Sequence, residues 1–204
     1  MRDIAIYMEG GGETATTKAS LRQGMDMFLA ALKSEARSRS MHWKLVCCGG
    51  RDSAFRAFQN AIARSGSGLV ILLVDSEAPL LGLRCPHLFD RDKWDVKHAD
   101  EDIVHLMVQT METWIAADHE ALLKYYGRNF QANALPQSAN LESVAKADIA
   151  KALHEATRNT QKGSYHKIKH ASDLLGRVHP AAVQNRCPNC KSFFEAVTAA
   201  MRNL

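Results

Sequence analysis

Two short apolar runs near the start of the chain each end abruptly at acidic residues. Residues 71–74 lead into the segment 75–77 (Asp-Ser-Glu), and residues 4–8 lead into the segment 9–13 (Glu-Gly-Gly-Gly-Glu). Strands that are buried on both faces have such uninterrupted apolar sequences, and open α/β sheets bind their ligands beyond the carboxyl ends of these strands. The pattern predicts two parallel strands that carry carboxylates to one edge of a sheet.

The remaining pattern of the first 77 residues alternates between helix and strand. Apolar residues recur at helical spacing over residues 17–39, which predicts one amphipathic helix. Residues 43–48 predict a short strand, and Asp52 is predicted to cap a helix that the segment 65–68 (Ser-Gly-Ser-Gly) ends. The order β-α-β-α-β with short connections predicts an α/β fold with a parallel sheet flanked by helices.

Regular spacing disappears in residues 78–100, which contain two prolines and many charges and predict an irregular insertion. From about residue 101 onwards, apolar residues at helical spacing predict a helix that carries Asp118 on its apolar face. A carboxylate is costly in that position unless it is paired or ligated.

The last third of the chain shows helical patterns and no clear strand. A polar connector is followed by predicted helices at about residues 141–160 and 169–175 and by a last helix that carries Phe193 and Phe194. We therefore predict an α/β domain over residues 1–127, with the insertion at 78–100, and a mainly helical C-terminal extension over residues 128–204 that packs on it.

The composition is that of an ordinary soluble protein, with 204 residues, 46% hydrophobic residues and a net charge of +4. This charge permits a polyanionic partner without demonstrating one. Because no segment approaches the roughly 20 apolar residues of a membrane span, we expect no membrane association and a cytoplasmic location. Five scattered cysteines predict reduced thiols. The Cys-Pro-Asn-Cys segment from Cys187 to Cys190 has zinc-knuckle spacing but lacks a second pair of ligands.

The acidic residues at the two strand ends are candidate metal ligands. Glu9 and Glu13 flank three glycines, which let the backbone turn sharply, although this loop taken alone is better explained as a solvated turn with a glutamate at a helix start. Asp75 and Glu77 are predicted to project to the same side of an extended segment. If the first and third strands are neighbours, all four acids converge at the switch point of the sheet, where their mutual repulsion requires cations.

An apolar strand followed by Glu-Gly-x-x-acid, and later a second strand followed by Asp-x-acid, resembles the TOPRIM domain of topoisomerases, primases and OLD-type nucleases. Residues 105–118 and the segment 165–167 (Tyr-His-Lys) resemble a bacterial family of TOPRIM-like proteins catalogued as domain of unknown function 4276. The resemblance implies a TOPRIM-like, Rossmann-like fold and a Mg²⁺- or Mn²⁺-dependent nuclease. It also implies a nucleic acid substrate, DNA or RNA, and a role in anti-phage defence together with an ABC-type ATPase.

The resemblance also assigns roles to particular acids. It places Glu9 at the position of the family's lone catalytic glutamate and Glu13 at the second acid of the nuclease-type loop. Asp75 and Glu77 take the positions of the paired acids, with glutamate standing at Glu77 where aspartate is commoner.

Four further residues are candidates for the same site. Glu112 and Asp118 are candidates for additional metal ligands. OLD-type nucleases use a downstream lysine near the transition-state phosphate, and Lys167 or Lys169 is the candidate here. Each lysine is equally compatible with an ordinary surface position.

Two other functions are compatible with the sequence. The chain is compatible with a regulatory or binding subunit that docks on an ATPase through its helical C-terminal part. Phe193 and Phe194 are candidates for that docking surface, although two adjacent phenylalanines on a helix usually belong to the core. It is also compatible with a phosphatase that uses Asp75 as its nucleophile, although the acid-bearing strand of haloacid-dehalogenase-like enzymes normally opens the domain. Assembly of several copies is left open.

Overall fold

The computed structural model describes residues 2–64, 68–96 and 101–204. The strands are β1 (Asp3–Met8), β2 (His42–Cys47), β3 (Leu69–Asp75) and β4 (Val104–Met107). The helices are α1 (Ala15–Phe28), α2 (Ala30–Ser38), α3 (Arg51–Arg64), α4 (Arg84–Asp92), α5 (Met111–Ala117), α6 (His119–Tyr126), α7 (Lys146–Thr157), α8 (Lys167–Leu175), α9 (Pro180–Arg186) and α10 (Pro188–Asn203). Short 3₁₀ helices span Glu101–Ile103, Ala132–Ala134 and Leu141–Ser143.

The four strands form one parallel sheet in the order β2-β1-β3-β4. This confirms the predicted α/β fold of Rossmann-like type, with helices on both faces of the sheet. The connection from β1 places β2 on one side, and β3 then lies on the other side of β1. The carboxyl ends of β1 and β3 therefore form a switch point, where α/β sheets commonly bind ligands.

Two apolar clusters cover the two faces of the sheet. Ile6 and Leu73 belong to the larger cluster, which the N-terminal and C-terminal helices complete. Leu72 and Val74 belong to the smaller cluster together with Phe58 of α3. Because successive residues of β3 enter opposite clusters, both sets must be apolar, which explains the uninterrupted apolar run of this strand.

The C-terminal helices share the larger cluster with β1 and β2. Phe193 and Phe194 of α10 are buried in it, and Phe193 packs edge-on against the ring of His105 in β4. The predicted role of these two phenylalanines in a docking surface is therefore wrong, because both side chains are part of the core.

The helix predicted over residues 17–39 is in fact two helices, α1 and α2, which are separated at Leu29. Leu29 is fully buried and its backbone leaves the helical conformation, with φ −93° and ψ 16°. The apolar period runs across this break because each helix buries its own face against the sheet. The spacing of the apolar residues therefore does not indicate the break at Leu29.

The helix predicted from residue 101 is wrong over its first half, because Val104–Met107 forms β4 and the helix α5 begins only at Met111. All four residues of β4 are buried. A short strand of this kind has no alternation of polar and apolar residues, so its apolar side chains coincided with a helical period.

The predicted irregular insertion contains α4, and its residues 97–100 lie outside the part of the chain that the structure describes. Residues 65–67 of the predicted Ser-Gly-Ser-Gly break also lie outside it. Asp52 lies in the first turn of α3, which begins at Arg51 and therefore two residues earlier than the predicted cap implied. Within the described ranges no helix has the length and apolar character that a membrane span requires.

Candidate metal centre

Three of the acids that the sequence singled out meet at the switch point of the sheet. Glu9 follows β1 directly, Asp75 is the last residue of β3, and Glu77 lies two residues beyond. One carboxylate oxygen of each lies within 4.8 Å of those of the other two. We call Glu9, Asp75 and Glu77 the acidic trio.

Backbone amides hold two members of the trio in place. Oε1 of Glu9 accepts a hydrogen bond of 2.8 Å from the backbone amide of Asp75. Oδ1 of Asp75 accepts one of 2.8 Å from the amide of Met111 at the start of α5. The Asp75 side chain is buried as a result, while its second oxygen, Oδ2, faces the remaining charged groups of the site.

Glu77 reaches the trio through a turn. Its φ of 63° lies in the left-handed region, so the expected extended segment from Asp75 to Glu77 is wrong. The amide of Glu77 donates a hydrogen bond of 2.8 Å to the carbonyl oxygen of Gln109, which fixes this turn against the segment after β4. The Glu77 carboxylate pairs with Nζ of Lys146, the first residue of α7.

The glycine loop after Glu9 turns the chain away from the trio. Gly11 has a φ of 83°, and a Cβ atom there would lie 2.8 Å from the Cα atom of Lys18, so glycine is required at this position. The backbones of Gly10 and Gly49 exchange hydrogen bonds of 2.8 and 3.1 Å. Glu13 lies beyond the turn, is exposed, and is not a member of the trio.

Burial and like charge dominate the electrostatics of Asp75. Its burial and then the neighbouring Glu9 raise its pKa well above the usual range of aspartate, with smaller contributions in the same direction from Glu112 and Glu77. Lys167 opposes the shift without cancelling it. The ionised form of Asp75 is therefore disfavoured first by its removal from water and then by the negative charge of Glu9.

Arg51 at the start of α3 supports the trio from the side of β2. One guanidinium nitrogen lies 3.2 Å from Oε2 of Glu9 and also donates to the carbonyl oxygen of Asp75. Nε and the other terminal nitrogen hold both carboxylate oxygens of Asp92 at 3.0 and 2.7 Å. The guanidinium also stacks on the ring of Trp94, 4.8 Å from its centroid. The sequence did not single out Arg51, although its position after the carboxyl end of β2 could have indicated that it lies close to the acids.

Lys167 is the candidate lysine that lies beside the trio. Its Nζ is 4.0 Å from Oδ2 of Asp75 and 3.3 Å from a carboxylate oxygen of Glu112. Although burial lowers the pKa of Lys167, the charges of Glu112 and Asp75 outweigh it and raise that pKa. Lys169 is instead exposed and lines a groove between α8 and α1.

Asp118 lies outside the trio, at the junction of α5 and α6 rather than on the apolar face of one helix. It caps α6 by accepting a hydrogen bond of 3.0 Å from the amide of Ala121. The backbone amide and the ring Nδ1 of His179 each lie 2.8 Å from its other oxygen. Burial opposes ionisation, but these bonds prevail and lower the pKa of Asp118. Its charge is therefore satisfied without a metal.

Cys187 and Cys190 are buried at the start of α10, and burial raises the pKa of both thiols. Over residues 2–64, 68–96 and 101–204, neither cysteine belongs to a group of three or more potential metal ligands. A protonated, buried thiol is a poor zinc ligand. The pair is accounted for as part of the apolar core.

The donor set of the trio fits a divalent cation. Three carboxylates offer only oxygen atoms, which are the ligands of hard ions such as Mg²⁺, Mn²⁺ and Ca²⁺. The trio could therefore bind a metal ion.

The sequence matches a known family over residues 8–198, and that family is described as a domain of unknown function (DUF4276). Because the match covers most of the chain, the protein belongs to the DUF4276 family. The matched span contains the whole acidic trio and Lys167. No curated protein and no solved structure matches the chain significantly.

Proposed function

We propose that this DUF4276 protein is a Mg²⁺- or Mn²⁺-dependent phosphodiesterase of the TOPRIM type that hydrolyses nucleic acid. The observation that carries the proposal is the acidic trio at the ends of two neighbouring parallel strands, with Nζ of Lys167 4.0 Å from Asp75. The resemblance to OLD-type nucleases supports it, because the same acids and a downstream lysine correspond to catalytic positions of those enzymes.

In this proposal Glu9, Asp75 and Glu77 would hold the cation, and the cation would supply Lewis-acid stabilisation of the charge that develops on the phosphate oxygens. The Lys167 ammonium lies where it can neutralise a further phosphate oxygen. Arg51 binds both the Glu9 carboxylate and the end of β3 and so fixes their positions relative to each other. The protein therefore provides a preorganised arrangement of charge, which is the main requirement of phosphodiester hydrolysis.

The proposed biological setting is that of an effector nuclease in anti-phage defence that works with an ABC-type ATPase. The family resemblance is the support for this part of the proposal. The net charge of +4 is compatible with a nucleic acid substrate.

Metal binding and cleavage are tested together. We expect isothermal titration of the wild type with Mn²⁺ to show binding, and incubation with plasmid DNA or single-stranded RNA to show cleavage that chelation of the metal abolishes. Asp75→Asn should lose both properties because it removes the central ligand. Glu120→Gln, which changes an exposed glutamate on α6, is the matched control and should retain both. A wild type that binds Mn²⁺ yet cleaves neither nucleic acid, even with its ATPase partner present, contradicts the proposal.

A second candidate function is that of a non-catalytic regulatory or binding subunit of such an ATPase. The observation that favours it is the presence of Arg51, Lys146 and Lys167 at the trio, because these three side chains already pair with its acids or lie beside them. In this candidate function, the pairing of the acids with the protein's own cations takes the place of a metal ion. Absence of Mn²⁺ binding in the titration favours this candidate over the nuclease.

A further inference from the structure

Glu112 is a buried carboxylate beside the acidic trio but outside it. The residue is 8% exposed, and it lies in the first turn of α5. The preceding residue, Met111, donates its amide to Oδ1 of Asp75. The start of α5 thus contacts Asp75 directly through its backbone and brings the Glu112 side chain to the same side of the site.

Both partners of Glu112 come from the segment that begins α8. The hydroxyl group of Tyr165 donates a hydrogen bond of 3.3 Å to Oε1 of Glu112, and Nζ of Lys167 lies 3.3 Å from its carboxylate. A buried carboxylate is tolerated when it is paired and hydrogen-bonded in this way. Glu112 therefore has its charge satisfied by protein groups.

Lys167 needs such a partner to be held in one place. Its side chain is 56% exposed, and a lysine has a flexible four-carbon stem that ends in a point charge without a preferred orientation. Glu112 is the closer of its two acidic contacts, at 3.3 Å against 4.0 Å for Asp75. The carboxylate of Glu112 is consequently the group that keeps the ammonium beside the trio.

We infer that Glu112 is a positioning residue, held by Tyr165, that fixes Lys167 against the substrate phosphate, and that it is not a ligand of the metal. This inference rests on the proposed nuclease function and adds a role for Glu112 and Tyr165 within it. It replaces the metal-ligand role that the sequence suggested for Glu112.

A double-mutant cycle tests the inference in the full-length protein. With a fluorescent oligonucleotide substrate and Mn²⁺, we expect Lys167→Ala to lower kcat about 100-fold, since it removes a charge that stabilises the transition state. Glu112→Gln should lower kcat about tenfold with little change in KM, because a neutral amide holds an ammonium less firmly than a carboxylate does. In the Lys167→Ala background, Glu112→Gln should have no further effect.

Additional measurements separate positioning from metal binding and from loss of structure. The Mn²⁺ affinity of Glu112→Gln should stay within about threefold of the wild type, whereas a lost ligand or essential supporting group costs about tenfold or more. Tyr165→Phe should lower kcat in the same direction by a smaller factor. Lys151→Ala, an exposed lysine of α7, is the matched control. Thermal melting verifies that each variant is folded.

The possible results separate the positioning role of Glu112 from the proposed nuclease function. An active wild type in which Glu112→Gln loses Mn²⁺ binding as Asp75→Asn does, or acts additively with Lys167→Ala, overturns the positioning role and leaves the nuclease intact. A wild type that binds Mn²⁺ and cleaves nothing overturns the nuclease and the positioning role with it.

Discussion

The backbone amide of Asp75 donates a hydrogen bond of 2.8 Å to Oε1 of Glu9. The two residues are 66 positions apart in the chain. This bond ties the end of β3 to the end of β1 inside the acidic trio. The other oxygen of Glu9 lies 3.2 Å from the guanidinium of Arg51. Glu9 therefore has a structural role and a proposed metal-binding role, and the two can be separated by substitution.

Glu9→Gln is expected to weaken Mn²⁺ binding by about tenfold or more while leaving the fold nearly as stable as before. The amide oxygen of glutamine can still accept the hydrogen bond from Asp75, but the negative charge is lost. Glu9→Ala should in addition lower the free energy of unfolding by about 1–3 kcal/mol, because the Asp75 amide is left without an acceptor. Calorimetric titration and urea unfolding measure the two effects. An unchanged Mn²⁺ affinity in Glu9→Gln excludes Glu9 as a ligand.

The raised pKa of Asp75 predicts how stability depends on pH without metal. A carboxyl group whose pKa is higher in the folded than in the unfolded protein binds its proton more tightly when folded. Its contribution to stability is therefore most favourable below the unfolded pKa of about 4 and is lost as the pH rises through the folded value. We expect Asp75→Asn to be more stable than the wild type at pH 8, with the difference shrinking towards pH 4.

Asp118→Asn is the matched control for this prediction, and its expected change in stability at pH 8 has the opposite sign. The pKa of Asp118 is lowered, so its ionised form stabilises the fold above the unfolded pKa and this contribution is lost on acidification. Asp118→Asn should therefore be less stable than the wild type at pH 8. Urea unfolding at several pH values measures both differences. Addition of Mn²⁺ should stabilise the wild type but not Asp75→Asn, since only the wild type binds the ion.

Lys146→Met is expected to increase the affinity for Mn²⁺. In the structure Lys146 forms an ion pair with Glu77. Burial by itself would raise the pKa of Glu77, but the pairing, chiefly with Lys146, outweighs burial and lowers that pKa. A metal ion must compete with the ammonium for the same carboxylate. Because partly exposed ion pairs contribute about 0.2–1 kcal/mol, the gain should be about 1.4-fold to fivefold. Lys151→Met on the same helix should change nothing, and an equal or lower affinity in Lys146→Met excludes competition at Glu77.

The two candidate lysines should differ sharply in a nuclease assay. Lys167→Ala should lose about 100-fold in kcat, because the ammonium beside Asp75 is removed from the proposed phosphate position. Lys169→Ala should retain most of the activity, because its exposed side chain lines the groove between α8 and α1. Single-turnover cleavage in Mn²⁺ compares them directly. Similar losses in both variants contradict the assignment of Lys167.

The position of Glu13 predicts that it contributes little to binding the metal ion. Glu13 is exposed beyond the glycine turn, and its carboxylate is not among the three that converge. Glu13→Gln should therefore keep the affinity for Mn²⁺ within about twofold of the wild type, whereas loss of a direct ligand costs about tenfold or more. Titration of both proteins measures this, and a tenfold loss shows that Glu13 moves into the site when metal binds.

The sequence by itself predicted the strands β1 and β3 in a parallel sheet. The convergence of Glu9 with Asp75 and Glu77 followed from it only on the condition that these two strands are neighbours, which the structure supplied. The strands and their shared edge follow from local rules, since a strand buried on both faces requires a continuous apolar run and the carboxyl ends of parallel strands share one edge. The same local rules failed at Val104–Met107, where a short, fully buried strand has the same apolar spacing as a helix.

Only the tertiary structure decided which other charged residues reach the trio. Lys146 lies 69 positions from Glu77, and Lys167 lies 55 positions from Glu112, so no periodicity connects either pair. The tertiary structure also shows that Asp118 is paired with His179, 61 positions away, and is not part of the trio. The physical reason is that hydrophobic burial places whole helices, whereas the side chains that meet at their ends depend on how those helices pack against the sheet.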